Sequence, residues 1–533
     1  MALPTRTVRR DSSSYELPTR TVRPSATPVK ARAPWLSLAA LVILGGVSGA
    51  AYYLGFVHPY LLSQYYNTPL QDLAKISRAT AQSANEWGFT WVVVFACYYA
   101  AFRICPPAED VTRAFRRVAL VLICAGAAFF ALNLLFMYPV GAADLFDQIF
   151  RARLTSHYGL NPFTTTPGSI GGDPLQAFVA WRGDPSPYGP MWETLAAGTS
   201  LLAGANLWGN LIAFKLLVIG AYGVGTILSY GILRAIKPDW ALRGMLFFAW
   251  NPLVLFEVAG NGHNDAVVIM FVLAGVFFFV RARQVAFIPA LVLGALTKFV
   301  PVLLVPTALA ALWRDRGANG AEANSGRKRL AVIGRSIGLS VGLAAILYVP
   351  FWTGPEGILP RNRGTLFTAS IPKVILDTLT TDFKVEQSKA EWLVRNGAYA
   401  IVGVVAVVLA IWVWRSANAT NTDRRAVLVN RTLVAFYEII FVYLVIASLW
   451  FQPWYLLWLI ALTVPLAAQH TYVVRTLLFC IGGVFNYFVW DYLWLWNHTD
   501  SRTIQTASAL AVNTLAIMYT LWVWLKKTRI LNS

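Results

Sequence analysis

The fold class this sequence predicts is all-α: a polytopic transmembrane helical bundle of about 12 to 14 spans with exoplasmic surface helices. Three observations predict it. Of 533 residues, 57% are apolar and only 13% charged, whereas a soluble domain carries roughly 25% charged residues. Apolar runs long enough to cross a hydrocarbon core of about 30 Å recur along the chain. The formal charge of +19 sits in short loops between those runs, where positive charge sets topology. Membrane lipid is therefore an expected partner and nucleic acid is not. The four cysteines, Cys97, Cys105, Cys124 and Cys480, fall inside or at the ends of apolar runs, which argues against disulfides and cysteine metal sites.

Taken in order, residues 1 to 34 are rich in Pro, Ser, Thr and Arg and carry LPTRTVR twice, at 3 to 9 and 17 to 23. Without an apolar face, this is a disordered basic cytoplasmic tail. The run 35 to 57 is longer than the core of a cleaved signal peptide, so a retained anchor is expected. With a second span near 87 to 105 it makes an N-terminal pair over 35 to 117. Arg113, Arg116 and Arg117 hold the next loop in the cytoplasm, and the third span, 118 to 139, then runs outward.

That topology delivers Asp144 and Asp147 just beyond the outer membrane surface, at the head of a large exoplasmic loop, 140 to 190. Its prolines and glycines predict short surface helices joined by turns, and loops of that length in compact proteins are usually functional. Carboxylates so near lipid are costly unless paired or used. One reading makes them functional; the other pairs Asp147 with Arg151 at i,i+4 spacing on a short amphipathic helix.

Residues 191 to 207 contain Glu193 and two glycines, and a span there would put the following basic loop on the wrong side. A re-entrant or surface-lying helix is expected instead. Spans at 210 to 233, 243 to 260 and 265 to 280 follow, and they place NGHND, with His263, Asn264 and Asp265, on the face of Asp144. The segment 285 to 313 is interrupted by Pro289, Pro301 and Pro306 and has basic flanks on both sides. A helical hairpin or two short spans satisfies both facts, and such broken geometry survives only where it packs on protein or lines a cavity. At about 1.5 Å per residue, Lys298 at the apex would lie about 20 Å from the inner surface, where a lysine is usually functional. This closes a module at 118 to 331. A C-terminal transmembrane module, 332 to 533, supplies spans near 332 to 352, 393 to 414, 433 to 450, 454 to 468, 473 to 492 and 504 to 525. Both termini are expected in the cytoplasm of a multi-pass cell-membrane protein.

The chain has no GxxxxGK, no strand-turn-helix GxGxxG, and no polar stretch large enough for a nucleotide-binding domain. HExxH and paired CxxC are also missing, and the two GxSxG strings, GRSIG at 334–338 and GLSVG at 338–342, sit inside an apolar run and not at a strand-to-helix turn, which argues against zinc and serine hydrolase chemistry. Acids, a histidine, cations and aromatics remain on the outer face: Asp144, Arg182, Asp184, Glu193, His263, Asp265, Arg361, Arg363 and Trp454. A carboxylate can take a proton from a sugar hydroxyl, and a cation can hold a phosphate leaving group. Aromatics such as Tyr188, Trp454 and Tyr455 can stack on a sugar, although interfacial belts also recruit Trp and Tyr. His263 and Asp265 suit either substrate orientation or a divalent metal ion held together with Asp144.

Five stretches in order, GAADLFDQIFRARL, YGLNPF with PYGPMW, GNGHNDA, LTKFVP and FQPWYLLWL, give the chain a family resemblance over roughly 118 to 470. It resembles the polytopic glycosyltransferases of the GT-C superfamily, especially bacterial mannosyltransferases that use polyprenyl-phosphate sugars. The resemblance implies a hexosyltransferase of the cell envelope with a polyprenyl-phosphate sugar donor, mannose as the sugar, and a glycan, lipid or protein acceptor. It also implies an extracytoplasmic site with a catalytic aspartate in the first large outer loop. Asp144 occupies that place and Asp147 is the second candidate. Arg182, Tyr188, His263, Asn264, Asp265, Lys298, Arg361, Arg363, Trp454 and Tyr455 are the candidate substrate-binding residues. The chain departs from the family pattern in having two spans before the one that delivers the acid. A transporter or flippase of lipid-linked sugars is the alternative from another class. It would favour ionisable residues at mid-membrane within repeated halves, and no internal repeat is visible. A non-catalytic assembly subunit is a third reading.

Overall fold

The computed structural model describes residues 34–107, 111–315, 326–354, 366–415 and 424–532. Among them, regular structure is helical apart from two isolated β-bridges, Leu61 with Met137 and Thr368 with Trp450. The helices of eight residues or more are α1 (Pro34–Tyr52), α2 (Ala81–Ile104), α3 (Arg113–Leu135), α4 (Asp144–Ser156), α5 (Pro190–Ala203), α6 (Leu207–Ile236), α7 (Ala241–Ala249) and α8 (Asp265–Val280). They continue with α9 (Gln284–Ala295), α10 (Val305–Arg314), α11 (Gly326–Tyr348), α12 (Gln387–Trp414), α13 (Arg424–Val442), α14 (Leu456–Thr463), α15 (His470–Phe488) and α16 (Ser501–Asn532).

Among the described residues, nine helices are long and apolar enough to cross a membrane, those containing α1, α2, α3, α6, α11, α12, α13, α15 and α16. The expected count was about twelve, and the difference has a physical cause. The segment expected to span at 243 to 260 is a pair of helices bent by 45° around Asn251, where Pro252 follows. Proline disfavours helical backbone in the residue before it, and the Asn251 side chain accepts from the amides of Leu253 and Val254 to restart the helix. The helices α8 and Pro453–Leu466 are shorter than a span: the 16 residues of α8 rise about 24 Å against a core of about 30 Å. They are apolar on every side because they are interior, with α8 packed between α6, α9 and α14. By contrast, only 11% of the most apolar window of α11 is buried, and its outer residues have lipid as their solvent.

Two features differ in depth from expectation. The helix carrying Asp144 is not a surface helix: Leu145 to Leu154 are all buried. Its charges tolerate this because they are paired, Asp147 with Arg151 at 3.3 Å and Arg153 with Asp173 at 2.8 Å. The expected surface or re-entrant helix at 191 to 207 is α5, 14 residues long and packed between α4 and α6.

Residues 285 to 313 form the expected broken element, with α9 and α10 in mutual contact around an irregular turn at Thr297 to Phe299. That turn leaves carbonyls beyond the end of α9, and the PYGPMW stretch satisfies them. Gly189 N–H donates to Thr297 O at 3.0 Å and Met191 N–H to Leu296 O at 2.9 Å. Glycine is required at 189, since a Cβ there would stand 2.1 Å from Leu296 O.

A buried lysine fixes the exit of α3. Lys215, within α6 and fully buried, donates to Leu135 O at 3.1 Å, to Leu134 O and to Met137 O. Carbonyls at and just past a helix C-terminus lack intrahelical partners, and a lysine is a favourable cap there; Leu134 O also accepts from Met137 N–H at 3.0 Å. Lys215→Met should strand them in an apolar setting at a cost of about 1–3 kcal/mol. The expected outcome is a lower thermal midpoint for the purified variant than for wild type; an unchanged midpoint would show that Lys215 does not hold the α3 exit.

Candidate active site

The turns at both ends of this scaffold open on one cavity of about 470 Å³, within the ~300–1,000 Å³ typical of small-molecule sites. Asp144, Tyr188, Lys298, Trp454 and Tyr455 line it together with Arg395, Tyr399, Trp450 and Trp458. Five of the residues singled out in the sequence, drawn from four separate segments, therefore share a wall.

Lys298 is the centre of the apolar side. Its Nζ lies 2.6 Å from Asp265 Oδ2 and 5.6, 5.4 and 5.9 Å from the ring centres of Tyr188, Tyr455 and Trp458. Asp265 is fully buried, and its other oxygen accepts from Trp458 Nε1 at 2.7 Å. The ammonium is thus held by one carboxylate and three ring faces, a cation–π arrangement that strengthens as water is excluded. His263 is buried and stacks on Trp454 with ring centres 4.0 Å apart. Trp454, only 4% exposed, belongs to the wall of the site and not to a lipid-facing belt. Asn264 is fully buried, and neither of its amide atoms has a hydrogen-bond partner.

Asp144 stands at the start of α4, where the helix dipole favours negative charge. Asp147, one turn on, does not line the cavity. It accepts from the amides of Ala180 at 3.2 Å and Trp181 at 3.0 Å and from Arg151, which also donates to the carbonyls of Trp181 and Asp184. Burial pushes its carboxyl up to about 6, against the opposing pull of Arg151. The i,i+4 pairing reading describes Asp147 well: the pair clamps the outer loop to α4. Arg182 spends its guanidinium on Val179 O and Ala177 O in its own loop, away from the cavity lining. Arg361 and Arg363 lie outside the described residues.

A metal does not fit the groups present. Among the described residues no three His, Cys, Asp or Glu side chains converge as a metal site would need. Both oxygens of Asp265 are occupied by Lys298 and Trp458, and His263 faces Glu257 at 3.3 Å.

Sequence reasoning missed Arg395 and Glu257. Arg395 lines the cavity from within α12, where it reads from sequence as a flanking basic residue. Glu257 is a lone carboxylate inside the apolar run NPLVLFEVAG, and that isolation was the available signal.

These elements match a known family. Residues 38–314 fit the model described as alpha-(1->6)-mannopyranosyltransferase, N-terminal domain, over more than half of the chain. The chain belongs to this family. It is 28% identical over 163 residues to an alpha-(1->6)-mannopyranosyltransferase of Mycobacterium tuberculosis, covering 30% of this chain and 27% of that relative. It is 23% identical over 424 residues to alpha-(1->6)-mannopyranosyltransferase A of the same organism, covering 72% and 76%. With alpha-(1->6)-mannopyranosyltransferase A of Corynebacterium glutamicum the identity is 21% over 178 residues, covering 32% and 35%. The first of these alignments therefore spans about a quarter of the relative's length. Within the cavity, the family model contains Asp144, Tyr188 and Lys298, while Arg395, Trp450, Trp454 and Tyr455 come from beyond it.

Beneath this wall, Glu193 is buried, accepts from Ser186 Oγ at 2.5 Å, and leaves Oε2 without a partner. Burial raises its carboxyl from 4.5 to about 7, with Ser186 and Arg151 opposing. A carboxyl raised in the folded state stabilises fully below its unfolded value and loses that stabilisation as pH rises through its folded value. Glu193→Gln, a neutral isostere, should therefore raise the thermal midpoint at pH 8 and change it little at pH 5. Equal effects at both pH values would place the ionisation elsewhere.

Proposed function

We propose that this protein transfers a mannosyl group from a polyprenyl-phosphate donor to an acceptor hydroxyl on the extracytoplasmic face of the membrane. The observation that carries the reading is the single cavity lined by both Asp144 and Lys298. Membership of the alpha-(1->6)-mannopyranosyltransferase family supports the sugar. Among the described residues, nine helices long and apolar enough to span support a multi-pass protein, as a donor with its tail in lipid would require.

In this reading the Asp144 carboxylate accepts the proton of the acceptor hydroxyl as its oxygen attacks the anomeric carbon. The bond from that carbon to the phosphate oxygen breaks, and its electron pair leaves with the polyprenyl phosphate. Lys298 and Arg395, which line the same cavity, stabilise the charge gathering on the phosphate. Tyr188, Trp454 and Tyr455 offer ring faces to the sugar. His263 and Asp265 act by orientation, His263 behind Trp454 and Asp265 behind Lys298.

Asp144→Asn should lower transfer from a polyprenyl-phosphate mannose by at least about 10²-fold, at the lower end of general-base contributions, in protein with a wild-type elution profile. Lys298→Met should weaken donor use in the same assay. Wild-type turnover in Asp144→Asn would remove Asp144 as the base. Transport of a lipid-linked sugar by wild type, without transfer, would favour the flippase reading.

Sidedness is separately measurable. Single cysteines at Gly159 and Gly171, in a background lacking the four native cysteines, should react with an impermeant thiol reagent in intact cells. Labelling only after lysis would reverse the topology.

A further inference from the structure

Glu257 is fully buried near the end of the NPLVLFEVAG run, where Phe256–Gly260 is wound as a π-helix, a form frequent at functional sites. Its Oε2 accepts from Asn261 Nδ2 at 2.8 Å and lies 3.3 Å from His263 Nε2. Its Oε1 accepts from the Tyr487 hydroxyl of α15 at 2.8 Å, and its backbone carbonyl accepts from His263 N–H at 3.0 Å. Asn261 carries the chain of contacts further, because its Oδ1 accepts from Gly141 N–H at 3.1 Å. Gly141 lies in the short connection between the exit of α3 and Asp144.

This relay has a fixed polarity. A backbone N–H only donates, and an asparagine amide accepts at its oxygen and donates at its nitrogen. With Glu257 on one side and Gly141 N–H on the other, Asn261 has a single orientation that satisfies both. The packing leaves no slack: a Cβ on Gly141 would stand 2.6 Å from Asn261 Nδ2 and 2.7 Å from Tyr487 Oη. Gly262 turns the chain with φ +78°, and a Cβ there would meet Leu145 of α4 at 3.0 Å. The NGHND turn therefore presses on the start of α4 from two points while His263 presses on Trp454.

We infer that Glu257 and Asn261 are positioning residues that fix the Gly141–Asp144 connection, and with it the aim of the Asp144 carboxylate into the cavity. The inference rests on the reading of Asp144 as the base, but its first test does not depend on activity. Neither residue lines the cavity, so neither acts by touching substrate.

The test uses the full-length protein in lipid nanodiscs, with wild type, Asn261→Leu, Glu257→Leu, the double variant and Glu257→Gln. Hydrogen exchange over residues 141 to 146 should accelerate in both leucine variants, while the cytoplasmic ends of α13 and α15 keep wild-type protection. With a polyprenyl-phosphate mannose donor, each leucine variant should lose roughly 10- to 100-fold in kcat, the scale of a small misplacement of a catalytic group. Donor KM should stay within about 2-fold, and the double variant should be no worse than the weaker single, as for residues acting as one unit. Glu257→Gln keeps a carbonyl oxygen for Asn261 and should recover most of the kcat. Unchanged exchange at 141 to 146 overturns the relay whatever the activity. Additive kcat losses, a raised KM, or no recovery in folded Glu257→Gln overturns the positioning role. If exchange responds as expected but Asp144→Asn turns over like wild type, the relay stands and the reading of Asp144 falls.

Discussion

Lys298 and Asp265 form the contact on which the rest of the site depends. A lysine at the break of a short apolar element is tolerable only with a counter-charge, because removing one partner of a buried ion pair leaves the other uncompensated. Asp265 supplies that charge from the first turn of α8. The pair therefore requires α8 and the α9–α10 turn to meet end to end, and the other contacts enforce the meeting. Trp458 holds the second Asp265 oxygen; Gly189 and Met191 satisfy the carbonyls at the turn. Breaking the helix is what brings Lys298 to the cavity, and the stretch around Gly189 and Met191 is what satisfies the carbonyls at the break.

The same logic explains why α4 lies deep. Asp147, Arg151, Arg153 and Asp173 are matched within a few ångströms, so α4 can bury nearly all of its length and still carry polar groups. Arg151 then ties the carbonyls of Trp181 and Asp184 to α4, and Ser186 and Glu193 hold the segment that ends in Tyr188. The wall of the cavity is consequently an outcome of buried electrostatics in the loop as much as of helix packing.

Much of this was legible in the sequence, and the reasons are specific. The helical class followed from apolar runs whose length is fixed by bilayer thickness. The break at Lys298 followed from Pro289, Pro301 and Pro306 between basic flanks, and a lysine in such a place announced itself. The three residues His263, Asn264 and Asp265 were legible as a group, but their division of labour was not, because stacking on Trp454 and pairing with Lys298 join segments far apart in the chain. Span counting overshot at α8 and Pro453–Leu466 for a related reason: an interior helix in a large bundle is as apolar as a membrane span, and composition cannot tell protein surroundings from lipid. Arg395 and Lys215 looked like ordinary basic residues of long helices, since what distinguishes them is the direction each faces. Glu257 was readable as an isolated acid in an apolar run, although Tyr487, which donates to it, lies 230 positions away, and Gly141, reached through Asn261, lies 120 positions from Asn261.

Charge accounting across the cavity supplies the last step. Among the described residues Asp144, Lys298 and Arg395 line the cavity, and buried Asp265 pairs with Lys298. A polyprenyl-phosphate sugar is a phosphodiester with one negative charge. In the proposed transfer Asp144 becomes neutral as it takes the hydroxyl proton, and the departing phosphate becomes a monoester with a second charge. The reaction therefore moves one negative charge from the Asp144 side toward Lys298 and Arg395, while the total stays constant. A low-dielectric cavity penalises unbalanced charge heavily and rewards fixed dipoles and ions aimed at where charge develops. An acid at the head of α4 and cations at the α9–α10 turn and in α12, all lining one cavity, let the field of the site favour that displacement. Three rings pack around Lys298, and Asp265 holds the ammonium in place before the phosphate arrives. In that arrangement Asp265 serves the leaving group without touching it, which accounts for a carboxylate being retained on the side of the cavity where negative charge accumulates.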